Sequence, residues 1–321
     1  MSTPGLTIGV DVGGTSVRAG VVDGAGMVQD IRHATTPAGA QALEDVIVGL
    51  VSELGAAYHG VRAIGLAVAG FVTADRSQVG FCPHLAWRGV PVADRIERRL
   101  GLPVVLEHDA NAAALAEHRY GRMRDGGVAV LVLLGTGIGG ALLVDGALFR
   151  GAHGVAPELG HLRLVPDGRP CACGKRGCWE RYCSGTGLVS TALELLAQRP
   201  GARTALAQEA SGNPGGLSGA QVVRAARDGD PVALQAMVEL ARWLGEGLAL
   251  LADVYDPELV VIGGGMAQSA ALFLERARAH YAASVTGAGY RTLAHVRTAQ
   301  LGTEAGIVGA ALLARSRSSG S

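Results

Sequence analysis

The chain has 321 residues, equal numbers of basic and acidic side chains (28 of each) and no formal net charge. With 49% hydrophobic and only 17% charged residues it is not a disordered chain, and the charge balance gives no broad footprint for nucleic acid or an anionic membrane. Its length favours two lobes over one core, and its 49 glycines suggest a tightly packed α/β protein with many turns that recognises a small ligand locally.

The N-terminal "MSTPGLTIGVDVGG" has no charged segment leading into a long apolar run, so a secretory signal is not expected and a cytoplasmic location is. Residues 6–23, "LTIGVDVGGTSVRAGVVD", read as strand, glycine turn, strand. "ALEDVIVGLVSEL" has helical periodicity, "VRAIGLAVAG" reads as a buried strand, "VADRIERRL" as a helix, "GLPVVLEH" as a strand and "DANAAALAEHRYG" as a helix. Residues 128–145, "VAVLVLLGTGIGGALLVD", repeat the opening design, and the glycines that interrupt this run argue against a bilayer span. "EASGNPGGLSGAQ" reads as a surface loop. A long helix, "LQAMVELARWLGEGLALLADVY", then feeds the strand "ELVVIGGG", and "ALFLERARAHYAASV" and "TEAGIVGAALLARS" close the chain as helices. Strands followed by helices predict a parallel or mixed sheet in each lobe.

Two matched glycine turns can grip a polyphosphate from both sides with backbone N–H groups, although an ordinary tight hairpin has the same sequence. Gly135, Gly137 and Gly140 satisfy G-x-G-x-x-G, yet the sequence continues as a strand where a dinucleotide site requires a helix. Asp11, beside Gly13, Gly14 and Thr15, can hold a hydrated Mg²⁺ or form an Asx turn. Gly263, Gly264 and Gly265 end a buried strand, where bare backbone lets a base or ribose approach or simply turns the chain.

Cys171, Cys173 and Cys178 are spaced C-x-C-x4-C, with His161 upstream and Gly174 and Gly177 allowing sharp turns. Three thiolates and one imidazole complete a closed tetrahedral zinc site, which makes a bound Zn²⁺ structural rather than catalytic. Glu158 and Glu180 flank this loop, where a fixed carboxylate suits hydroxyl recognition, and the second nitrogen of His161 can serve the same end. Cys82 and Cys183 stand apart as ordinary thiols. Asp109 sits where strand gives way to helix, as an N-cap or as a general base facing a sugar hydroxyl and an in-line γ-phosphate.

Together "DVGGT", "HDANAAALAE", "GTGIGGALLVDG" and "ELGHLRLVPDGRPCACGKRGCWERY" resemble the ROK family (repressor, open reading frame, kinase) of sugar kinases, most closely its bacterial glucokinases, over nearly the whole chain. The resemblance implies an α/β, two-lobed, actin-like (ribonuclease H-like) ATPase fold with central mixed sheets and a cleft between lobes. The lobes are expected at 1–121 plus 303–321 and at 122–302. It implies ATP and Mg²⁺ at Asp11, Gly13, Gly14, Thr15, Gly135, Thr136, Gly137 and Gly263 to Gly265, with structural Zn²⁺ on His161, Cys171, Cys173 and Cys178. It further implies Asp109 as catalytic base, with Gly70, His108, Glu158, His161 and Glu180 at the sugar, and a homodimer or homotetramer.

Three positions depart from the family pattern: His108 replaces the usual Asn of N-D-A-N, His84 another Asn, and Ala69 the Pro that tends to precede the glycine of "GLAVAG". Asn presents donor and acceptor on one amide, whereas neutral His presents them on opposite ring edges, so hexose choice is open to change. Glucose 6-phosphorylation is the expected reaction, with another hexose (mannose, fructose or an N-acetylated aminosugar) or a non-catalytic sugar-binding regulator as alternatives. The family's repressors carry a helix-turn-helix before the first phosphate turn, and with "MSTPGL" before the strand one is not expected here.

Overall fold

The structure, a computed structural model, describes residues 5–82, 85–201, 203–212 and 216–318. The chain divides into two compact units: Met1–Asp125 with Ala141–Pro157 and Ala299–Ser321, and Gly126–Gly140 with Glu158–Thr298.

The first unit is built on strands β1 (Leu6–Val12), β2 (Ser16–Val22), β3 (Val28–Thr35), β4 (Val61–Val68) and, beyond a small antiparallel sheet of β5 (Phe71–Val72), β6 (Val79–Phe81) and β7 (Arg88–Val90), β8 (Val104–His108). The large sheet is ordered β3-β2-β1-β4-β8 and mixed: β2 runs antiparallel to β1 and β3, while β4 is parallel to β1 and β8. Helices α1 (Ala40–Ala57) and α2 (Val92–Leu100) cover one face, where Leu43, Ile47, Leu54 and Ile96 pack on Ile8, Val10, Ile64 and Leu66. The α1 stripe recurs every three or four residues, which is the helical period read from its sequence.

Helix α3 (Asp109–Tyr120) and the C-terminal helix α9 (Ala305–Ser318) belong to the other face, where Ala310 and Leu313 meet Ala67, Val105 and Ala112. Here the strands present glycine. A methyl group at Gly9 or Gly65 would overlap the carbonyl oxygens of Ile307 and Ala310, so helix backbone rests directly on strand backbone.

The second unit uses β9 (Val128–Leu134), β12 (Leu259–Gly263) and β13 (His295–Thr298), with β12 parallel to both neighbours. They belong to a five-stranded sheet that continues through β10 (Ile138–Val144), where the division between units falls, to β11 (Ala147–Leu148). The α-helices described in this unit are α4 (Gly185–Ala197), α5 (Ala205–Gly212), α6 (Gly219–Arg227), α7 (Pro231–Tyr255) and α8 (Leu274–Ser284). Short 3₁₀ turns cover Leu159–His161, Trp179–Arg181 and Gly265–Leu272.

The expected surface loop at "EASGNPGGLSGAQ" is shorter than predicted. Its first four residues finish α5, and Ser218 opens α6 through a capping box with Gln221. Glycine and serine at helix ends carry the same composition as a loop. No helix among the described residues is long and apolar enough to cross a membrane.

Candidate active site

In the first unit the parallel strands β1, β4 and β8 end at one edge of the sheet, because Val12 pairs with Val68 and Val68 with His108. Carboxyl ends of parallel strands are where α/β sheets present ligand groups. Asp11, Gly70, His108 and Asp109 lie at or just beyond those ends.

Asp11 pairs across the hairpin with Arg18, whose Nη2 stands 2.5 Å from Asp11 Oδ2. Burial holds the Asp11 carboxyl above its ordinary value; Arg18 opposes the rise and the charge of nearby Asp109 adds to it. Gly306, in the first turn of α9, lets that helix reach the carboxylate, since a methyl there would lie 3.1 Å from it. In the adjoining turn the Gly13 N–H donates to Ser16 O (3.0 Å), and the Thr15 carbonyl accepts the Thr36 N–H (3.1 Å).

Asp109 is the first residue of α3, and His108 occupies the cap position without a side-chain capping bond. Among the described residues the carboxylate accepts the adjacent Ala110 N–H (2.7 Å) and lies 3.2 Å from His108 Nε2. The N-cap alternative for Asp109 is thereby removed. Gly70 packs against Cys82, whose sulfur a methyl at Gly70 would strike. Burial pushes the Cys82 thiol up to about 12, with Arg88 opposing and Asp109 adding, so it stays protonated at neutral pH. His84 lies outside the described residues.

Composition and spacing did not point to Glu107, the buried residue before His108. Its Oε2 receives Arg150 Nη2 (2.6 Å) and Nε (3.0 Å); its Oε1 receives Asn111 Nδ2 (2.9 Å) and the His108 N–H (3.0 Å). A buried carboxylate needs such partners, and these fix the strand-to-helix junction that carries His108 and Asp109. A glutamate in an apolar strand run was the only sequence signal.

In the second unit His161, Cys171, Cys173 and Cys178 form one cluster, with donor atoms all within 4.8 Å of one another. Cys173 and Cys178 sulfurs are 3.6 Å apart, and Cys171 Sγ is 3.7 Å from His161 Nδ1. A tetrahedron with Zn–S bonds of about 2.3 Å has edges near 3.8 Å, so the donor set fits zinc. Gly174 and Gly177 make the turns at φ of 88° and 76°, as the spacing required. Buried Trp179 anchors the loop to α7 by donating Nε1–H to Trp243 O at 2.8 Å.

Glu180 Oε1 lies 3.1 Å from Cys171 Sγ and 3.7 Å from His161 Nδ1, while its Oε2 faces Gly137, where a methyl would come within 2.5 Å. The carboxylate thus stands between the donor cluster and the second glycine turn. Glu158 Oε2 is 3.9 Å from His161 Nε2, the ring nitrogen that faces away from the sulfurs.

As the sequence indicates, strand β10 and not a helix follows the second glycine turn, and the N-terminal turn of α4 packs onto it instead. Helix α4, capped by Ser184, donates Gly185 N–H to Gly135 O (2.8 Å) and Thr186 Oγ1–H to Thr136 O (2.9 Å). In planar trans peptides, carbonyls held toward α4 aim the Thr136 and Gly137 N–H groups the opposite way. Gly135 and Thr136 line a cavity of about 870 Å³, together with Gly265, Met266, Arg181 and the N-terminal turns of α4 and α6. Gly263 ends strand β12, and Gly264, at φ 81°, passes close over Leu134.

The anticipated residues therefore gather in two sets, one per unit: Asp11, Gly13 to Thr15, Gly70, His108 and Asp109, and Gly135 to Gly137, Glu158, His161, Cys171, Cys173, Cys178, Glu180 and Gly263 to Gly265.

Comparison with known proteins matches residues 7–317 to the model of the ROK family. A glucokinase of Streptomyces coelicolor is 44% identical over 97% of this chain and 98% of its own. The crystal structure of a ROK family glucokinase from Streptomyces griseus, in complex with glucose and AMPPNP, superposes with a TM-score of 0.90 at 44% identity, covering 97% of this chain and 100% of that one. A ROK hexokinase structure from Thermus thermophilus gives 0.76 at 31% identity, over 98% of this chain and 100% of its own.

Proposed function

The chain belongs to the ROK family, and from that membership we propose that it is a glucokinase, transferring the γ-phosphoryl group of ATP-Mg²⁺ to the 6-hydroxyl of glucose. Its α/β fold with mixed sheets is that of the ROK sugar kinases, the actin-like ATPase class. The Streptomyces relatives, one a glucokinase by sequence and one solved with glucose and an ATP analogue, supply the substrate pair.

The observation that carries the mechanism is the state of Asp109. Its carboxylate sits at the sheet's carboxyl edge, at the first helical position rather than the cap, and accepts the Ala110 N–H. In this reading it accepts the proton of the sugar hydroxyl as the oxygen attacks phosphorus, and His108 Nε2 at 3.2 Å orients it. Gly70, His108, Glu158, His161 and Glu180 bind the sugar hydroxyls. The glycine turns take the phosphates, and the unit-two cavity takes the nucleoside.

Asp11 is the group for the hydrated magnesium of the nucleotide. A buried carboxylate near a second carboxylate, with one arginine in partial compensation, regains favourable charge balance when a divalent cation arrives. His161, Cys171, Cys173 and Cys178 would hold zinc, which when bound supplies a fixed anchor rather than a reactive centre. The loop then directs Glu180 and His161 Nε2.

The test is ADP release by purified, zinc-loaded protein with ATP-Mg²⁺ against glucose, mannose, fructose and N-acetylated aminosugars. Glucose-selective turnover is expected. Turnover on another hexose alone would reassign the acceptor, and silence on all of them in folded protein would end the kinase reading.

A further inference from the structure

Arg181 is the last residue of the 3₁₀ turn Trp179–Arg181 and lines the unit-two cavity beside Gly135, Thr136, Gly185 and Thr186. Two other arginines reach the same cavity, but both are engaged: Arg224 donates to Glu209 (2.7 Å), and Arg227 to Ser269 Oγ (3.0 Å). The Arg181 guanidinium differs. Its Nε is buried without a hydrogen-bond partner, and among the described residues no carboxylate lines the cavity.

Its backbone, by contrast, is held on both sides. Trp179 fixes the turn to α7, and the Arg181 carbonyl accepts Arg169 Nη1–H at 2.7 Å. The Arg181 side chain lines a cavity with no carboxylate among its described lining residues, so an anionic ligand supplies the counter-charge that the protein does not. Thr136 lines the same cavity, and its N–H is turned away from α4 because the Gly135 carbonyl of that peptide accepts the Gly185 N–H, so the cation and this backbone donor can serve one anion.

We infer that Arg181 is a nucleotide-binding residue, its guanidinium holding the diphosphate portion of the nucleotide and so setting preference for phosphorylated over unphosphorylated ligands in this cavity. The inference rests on the kinase reading and adds a residue to it.

Titration calorimetry on the zinc-loaded full-length chain tests it with three probes: ADP, adenosine and inorganic tripolyphosphate. Arg181→Met, which keeps the apolar stem, is expected to weaken ADP on the order of ten- to a hundredfold and leave adenosine within twofold, with Arg181→Lys recovering part of the loss. ADP affinity within twofold of wild type in Arg181→Met overturns the inference, as does an equal loss for ADP and adenosine. If tripolyphosphate responds and ADP does not, the cation serves an inorganic chain and the nucleotide assignment fails. Wild-type protein that binds no ADP removes the kinase reading itself, a result distinct from failure of the variant alone. Unchanged melting and zinc content establish that each variant is folded.

Discussion

His108 Nε2 stands 3.2 Å from Asp109 Oδ1, the same oxygen that accepts the Ala110 N–H at 2.7 Å. The residue that departs from the family pattern is thus the immediate neighbour of the proposed base, and it can orient that base from its own side chain.

Asp109→Asn should lower kcat by about 10²–10⁴ while ATP and glucose affinities change little. The amide oxygen can still accept from Ala110, so the melting temperature should stay near wild type. Steady-state kinetics beside calorimetric binding checks both halves; near-normal turnover would remove the base assignment.

Asp11 carries a pH signature. Its carboxyl titrates above its ordinary value in the folded chain, so between the unfolded and folded values the native state binds more protons than the unfolded one. Stability contributed by this group is therefore present in acid and is lost as pH rises through the raised value. Asp11→Asn should flatten that part of the melting-temperature profile and melt no lower than wild type at pH 7, while its magnesium requirement for turnover rises. A variant with an unaltered profile would refute the burial argument.

Removal of zinc by a chelator should lower the melting temperature by at least about 5 °C, because the ligands also hold the loop that carries Glu180. Glucose affinity should fall with it. Unchanged sugar binding in protein verified as metal-free would separate the loop from the sugar site.

Glu107→Gln leaves Arg150 without its carboxylate and is expected to cost about 1–3 kcal/mol in denaturant unfolding. The junction before Asp109 should loosen, and kcat should drop more than the stability change alone explains. A destabilised variant with full kcat would make Glu107 purely structural.

Much of this was legible along the chain because it is local. Strand and helix periodicity, the C-x-C-x4-C spacing and the glycines at φ 88° and 76° act over a few residues, so the sequence of β1, α1, β8 and the cysteine loop already contains their conformations. By the same locality, glycine and serine at the ends of α5 and α6 were mistaken for one long loop.

Tertiary structure alone decided what joins distant segments. Arg150 meets Glu107 across 43 positions, α4 holds the carbonyls of the second glycine turn, and α9 finds the bare backbone of Gly9 and Gly65. Such contacts depend on sheet order and on which buried polar atom must be satisfied, and neither is encoded in the periodicity of any single segment. The sequence by itself determined the parts and their chemistry; the packing decided which of them stand together and which of the arginines lining the cavity are engaged by neighbours.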